Sequence, residues 1–287
     1  MDRRALSRRR PFWHSCMMIH IPTAPWFHYL GDLAAWIAAF LGGRWVYRHR
    51  HASVVGLARQ TEPGYFISLA FGAVIGAWGT GSLNTWRMAA PTLSHSVAGA
   101  LAGAIVAVEL WKWRHGVRGS TGGPFVIPLA LGIVVGRWGC LFAGLTDETY
   151  GIPTRLPWSV DLGDGIARHP VQIYESLSIA VFLAIYWIAL IRQQGWARRH
   201  GFHVFVLVYA VQRFGWEFLK PYPKLLGPLN LFHFVMLGLA AYAIVWIVRG
   251  GGNDDRAQGG ALHLPRPDDE PVRDVPGDGP GQDHHRG

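Results

Sequence analysis

Cysteine is nearly absent: two residues in 287, Cys16 and Cys140. That is too few, and too badly placed, for a disulfide framework. Charge is scarce too, at 16% of residues, where a soluble domain carries about 25%. There is no HExxH, no CxxC pair and no P-loop, so the sequence gives no support for a metal or nucleotide site, and no cofactor is expected. No repeat of fixed period and no broken-helix pattern is found, which argues against a repeat-built transporter. No apolar h-region precedes Pro25, so the start does not read as a signal peptide.

What is abundant is apolar sequence in blocks of about twenty residues, the length that crosses a bilayer as a helix. Seven are read, at about 27–47, 64–84, 95–113, 124–145, 171–191, 202–219 and 229–248. They show no period-two alternation, which favours helices over a membrane barrel. The expected fold is an all-α, polytopic integral membrane protein of about seven transmembrane helices, occupying residues 18–249. The first and third blocks are the weakest, because they carry Asp32 and Glu109. Gly72 and Gly76, with Gly99 and Gly103, read as close helix packing, and the 14 tryptophans as an aromatic belt. Residues 250–287, rich in Gly, Pro, Asp and Arg, read as a disordered cytoplasmic tail.

The formal charge of +9 raises nucleic acid as a partner, but its distribution points to a membrane. Basic residues concentrate after blocks one, three and five: Arg44, Arg48, Arg50 and Arg59; Lys112, Arg114 and Arg118; Arg192, Arg198 and Arg199. The loops after blocks two, four and six are poorer. The positive-inside rule then sets the C-terminus in the cytoplasm and the start of block one outside. The five arginines of MDRRALSRRR oppose this orientation. Residues 1–17 are read as a basic extension from an over-extended start, with Met17 or Met18 as the true one; the competing reading is a genuine extension overruled by the later loops.

Against this apolar background a few polar residues stand out. Arg137, in GRWGCLFAG, lies inside block four, where an ionisable residue is costly and functional by default. Tyr209, Arg213 and Glu217 lie four apart and share one helix face. RHPVQIYES, residues 168–176, opens block five with Arg168, His169, Gln172 and Glu175. Under the expected topology all of these fall on the outer side, with His28, Tyr29, Asn84 and His95. Two buried arginines facing a carboxylate suggest that the protein handles an anion. Each has a plainer reading: Arg213 and Glu217 as a structural ion pair, Arg137 as a snorkelling side chain, His169-Pro170 as a helix start, Cys140 as a small buried residue.

These motifs resemble those of the prolipoprotein diacylglyceryl transferases. GRWGCLFAG is similar to the family's GR-x-GNFINGE, RHPVQIYE to RHP-[ST]-QLYE, YAVQRFGWEFL to Y-x-x-x-R-x-x-x-EF-x-R, and FHYLGDLAAW to HWYGLMY. Order and spacing agree from about residue 18 to 248. The resemblance implies transfer of the diacylglyceryl group of phosphatidylglycerol to a cysteine thiol of a preprolipoprotein, in the plasma membrane of a bacterium. A thioether forms and glycerol-1-phosphate leaves. By position, Arg137 and Arg213 hold the phosphate and stabilise its departure, Tyr209 and Tyr29 orient the headgroup, and Gly151 matches a family glycine. Arg168, His169, Gln172, Glu175 and Glu217 complete the expected substrate-binding set.

The chain departs from the pattern on the thiol side. The family's histidine opening its third helix is Ala98 here, with His95 three residues earlier. Its asparagine after GR-x-G is Cys140, and its glutamate is Leu145. His95 is taken as the candidate base, with His169 as the alternative. Three other readings stay open: a related transferase with another acceptor, a lipid-binding protein without catalysis, and a lipid transporter.

Overall fold

The computed structural model describes residues 18–86 and 93–260. The basic segment 1–17 and most of the expected tail lie outside the described residues. The chain divides after Gly250 into two units, and apart from the end of the last helix everything below concerns the first.

Seven long helices follow the seven apolar blocks: α1 (Phe27–His49), α3 (Pro63–Thr85), α4 (Val97–His115), α5 (Val126–Ala143), α6 (Val171–Ile191), α8 (Gly201–Glu217) and α9 (Leu231–Gly260). Two short helices, α2 (His51–Gln60) and α7 (Gly195–Arg199), lie in the basic connections. Among the described residues, four stretches are long and apolar enough to cross a membrane: Pro63–Thr85, Gly123–Asp147, Val171–Ile191 and Leu231–Gly250. Large apolar side chains of α1 and α3, among them Trp36, Phe40, Ile67 and Phe71, are exposed. Exposed apolar surface on this scale is a lipid-facing surface. The chain is therefore an all-α polytopic membrane protein.

Local sequence explains several helix limits. Pro63 stands at the first turn of α3, where its missing N–H costs nothing. Ser96 caps α4 by accepting from the Gly99 amide at 3.3 Å. Gly116, at φ +67°, ends that helix behind Lys112, Arg114 and His115 in the last turn.

Small residues set the packing. A Cβ on Gly103 would stand 2.2 Å from the Gly72 carbonyl oxygen, and one on Gly76 would stand 2.2 Å from that of Gly99. The backbones of α3 and α4 therefore touch, as expected for these glycines. α1 and α5 meet through Gly31 and Gly139, where a Cβ added at Gly31 would lie 2.3 Å from the facing Cα. α6 joins α5 through Ser176 Oγ, which donates to the Val134 carbonyl at 2.8 Å.

The charges that weakened blocks one and three have partners. Glu109 accepts from Lys112 Nζ at 2.9 Å and from the Tyr242 hydroxyl on α9 at 2.9 Å. Asp32 lies 3.4 Å from His28 Nε2, one turn away.

Among the described residues two small strand pairs stand outside the helices. β1 (Ile19–His20) runs parallel to β2 (Val160–Asp161), and β3 (Lys224–Leu226) pairs with β4 (Leu229–Asn230). The β1–β2 pair ties the segment leading into α1 to the loop that leads into α6. Together with α5 it brings the starts of α1, α4 and α6 and the ends of α5 and α8 to one end of the bundle.

Candidate functional site

The site is built around Glu175, on the first turns of α6. Its carboxylate meets three cations from two other segments. Arg137 Nε of α5 lies 2.8 Å from Oε2, Arg213 Nη1 of α8 pairs with Oε1, and Lys220 Nζ lies 2.8 Å from Oε1. Glu217, one turn after Arg213, takes the Arg213 Nε at 3.1 Å and accepts from Asn230 Nδ2 at 3.3 Å. All five charged groups are buried. Three cations against two carboxylates leave one unit of positive charge in a place where charge is expensive.

The two arginines are not equivalent. Arg213 is held by both carboxylates. Arg137 gives only its Nε to Glu175, and its Nη1 reaches toward Cys140 Sγ at 3.9 Å. Among the described residues its terminal nitrogens meet no carboxylate. Two buried polar atoms close by have no hydrogen-bond partner among those residues: the Tyr209 hydroxyl, one turn before Arg213, and Gln172 Oε1, one turn before Glu175. Buried groups of this kind cost free energy unless something polar meets them.

Cys140 links this cluster to a second one. His28, from the start of α1, places Nδ1 2.6 Å from Asp147 Oδ1, and the Asp147 carboxylate is itself buried. His28, Cys140 and Asp147 bring one ligand atom each to within 4.8 Å of one another; so do His28, Asp32 and His95. The His95 ring packs edge-on against His28, with centroids 5.5 Å apart. Asp147 is the residue that sequence reasoning missed. It lies just past the apolar block in a 3-10 turn, Gly144–Asp147, with no periodicity to mark it. It stands two residues after Leu145, so a carboxylate returns close to where the family pattern has one.

The remaining candidates are placed apart. Tyr29 is 75% exposed. Arg168 pairs with Asp164 at 2.5 Å and covers the Tyr150 ring, which commits it to its own loop. Gly151 is needed for space: a Cβ would stand 2.3 Å from the His169 carbonyl oxygen. His169 packs against Tyr174, and burial pulls its pKa below the ordinary histidine value. Ala98 is fully buried in the core. The two described cavities lie elsewhere.

The family model described as prolipoprotein diacylglyceryl transferase matches residues 26–249. Among similar curated proteins is the phosphatidylglycerol–prolipoprotein diacylglyceryl transferase of Thermosynechococcus vestitus, 32% identical over 50% of this chain and 56% of its own. Those of Gloeobacter violaceus and Polynucleobacter asymbioticus are 31% and 37% identical, over 54% and 47% of this chain and 61% and 52% of theirs. The chain thus matches little more than half the length of these relatives. No solved structure matches it. Because the family match runs from the start of α1 nearly to the end of the first unit, the chain belongs to the prolipoprotein diacylglyceryl transferase family.

Proposed function

We propose that this protein transfers the diacylglyceryl group of phosphatidylglycerol to the signal-peptide cysteine of a preprolipoprotein, at the outer leaflet of a bacterial plasma membrane. The observation that carries this reading is the buried cluster with one excess positive charge. The thiolate sulfur attacks the glycerol carbon that bears the phosphate ester. A C–S bond forms, the C–O bond breaks, and its electron pair leaves with glycerol-1-phosphate. The departing phosphate gains negative charge, and fixed donors in a dry site stabilise that charge best. Arg137 offers its terminal N–H groups directly. Glu175 holds it in place, and Arg213 and Lys220, on the same carboxylate, add to the positive field. The unpartnered Tyr209 hydroxyl and Gln172 oxygen suit the hydroxyls of the headgroup. The thiol half of the reaction falls to His95 with His28 beside it, and His28 lies next to Cys140, which Arg137 Nη1 approaches. The loop asymmetry in Lys and Arg supports an outer site and a cytoplasmic C-terminus.

The test is transfer from phosphatidylglycerol in nanodiscs to a signal-peptide substrate, with the thioether product read by mass spectrometry. Arg137→Ala and Arg213→Ala should each abolish transfer, and Arg→Lys should restore little, because a point charge does not replace a planar fork. Wild-type rates in both alanine variants would end this reading. Buried Ala98, where the family pattern has histidine, favours one alternative, a lipid-binding protein without catalysis. It would bind phosphatidylglycerol through Arg137 and form no product.

A further inference from the structure

The two halves of the site carry opposite charge. Beyond Cys140 from the arginines, two carboxylates, Asp32 and Asp147, approach the single ring of His28 from its two nitrogens. Asp32 belongs to an apolar helix and is exposed on it, a position that is costly for an unpartnered carboxylate. His95 brings a second imidazole to the same point from the start of α4.

We infer that His28 Nε2, Asp32 and His95 form a site for a divalent transition-metal ion, Zn²⁺ by its ligand set. Three observations converge. The three ligand atoms lie within 4.8 Å of one another. Tetrahedral zinc with bonds of about 2.1 Å needs ligand atoms about 3.4 Å apart, and His28 Nε2 and Asp32 Oδ2 stand at 3.4 Å. The His28 ring is already oriented for ligation: Asp147 takes Nδ1 at 2.6 Å, so a metal ion that displaces the Nε2 proton finds Nε2 facing Asp32. A carboxylate behind a ligating histidine is the usual support of such a site. Two histidines and one carboxylate leave a fourth position open, the pattern of a reactive zinc site rather than a structural one.

This inference rests on the transferase reading for its role but not for its existence. In that role the cysteine thiol of the acceptor takes the fourth position. Its S–H bond breaks, the proton passes to water, and the sulfur is held as a thiolate, one side chain away from Arg137. The anion-binding half and the thiol-binding half then meet at Cys140.

The experiment is metal analysis of the purified full chain in nanodiscs, followed by titration with ZnCl2 against a chelating indicator. CoCl2 serves as the spectroscopic probe. One zinc per chain is expected, and cobalt should give tetrahedral visible bands that shift when a cysteine peptide is added. Asp32→Asn and His95→Ala should each weaken zinc by at least about 100-fold, and Asp147→Asn by about 10- to 100-fold. His49→Ala, at the other end of α1, should leave zinc affinity unchanged. Absence of zinc and cobalt binding in the wild type, or equal affinity in Asp32→Asn and His95→Ala, would overturn the site. Full transfer by verified metal-free protein would overturn its role and leave the transferase reading intact. Zinc bound as expected with no transfer would keep the site and remove the transferase reading.

Discussion

Glu175→Gln is the most informative single change, because it alters one charge and almost no volume. In the native cluster the carboxylate faces Arg137 and Lys220 at 2.8 Å, and Arg213. With charge centres about 4 Å apart, each pair is worth about 4 kcal/mol at an effective dielectric of 20. Desolvation of four ions offsets much of that sum. Removing one partner from a buried pair nevertheless costs about 3–5 kcal/mol, since the other charges stay behind uncompensated. Here Arg137, Arg213 and Lys220 would face Glu217 alone. The expected outcome is a fall in unfolding temperature of about 10 °C, at about 2–4 °C per kcal/mol for a chain of this size. Tryptophan fluorescence of nanodisc-embedded protein would read it. The variant has gained net positive charge, so glycerol phosphate should protect it more than it protects the wild type; at about 100 times its Kd a ligand adds about 2.7 kcal/mol. A Glu175→Gln protein as stable as wild type and indifferent to glycerol phosphate would refute the view that this cluster is an anion site held open by one carboxylate.

Other expectations test the frame around it. Gly103→Val should destabilise by about 3 kcal/mol or more, as an overpacked contact does, because its Cβ would meet the Gly72 carbonyl oxygen at 2.2 Å; a thermal melt equal to wild type would contradict the α3–α4 contact. A reporter fused after Arg249 should be active in the cytoplasm, and one placed in the 148–168 loop should be active outside; the reverse pattern would invert the proposed topology. Burial alone would raise the Asp161 carboxyl, but the Gly163 and Gly165 amides and the His20 ring hold it below the ordinary value. A depressed carboxylate stabilises at all pH above its unfolded value of about 3.9 and loses that contribution as pH falls through the folded value. Proteolysis of the 148–168 loop should therefore rise below about pH 4, and Asp161→Asn should remove that dependence.

The long helices were legible because each apolar block carries its own limits: Pro63, Ser96 and Gly116 mark ends by backbone chemistry that does not depend on the rest of the fold. The glycine pairs of α3 and α4 were legible for a similar reason, since four-residue spacing of small residues has few other uses in an apolar helix. The helices α2 and α7 and the β1–β2 pair were not read. They are two to ten residues long, and the β1–β2 pair joins residues some 140 positions apart, which no local pattern announces. Tyr29 was matched by residue type. Neighbouring residues on a helix point about 100° apart; His28 is turned toward Asp147, and Tyr29 is exposed.

The site was half legible for a physical reason. Arg137, Arg213, Glu175 and Glu217 announce themselves because a charge inside an apolar block is anomalous wherever the chain folds. The histidine half was legible only as separate residues: His28, Asp32 and His95 were noted one by one near helix starts, where polar residues are ordinary, and Asp147, in a turn, gave no signal. Only the close contacts of α1 with α5 and of α3 with α4, through Gly31, Gly139, Gly81 and Gly99, bring those four residues together. A Cβ at Gly81 would stand 2.3 Å from the Ser94 carbonyl oxygen and 2.8 Å from the His95 Cα, so the placement of His95 depends on a glycine that carries no chemistry of its own. The anion-binding half is thus specified by residue type, and the histidine half by backbone approach. A change at Gly31 or Gly81 reaches the histidines before it reaches the arginines, which are joined to one another by their own ion pairs.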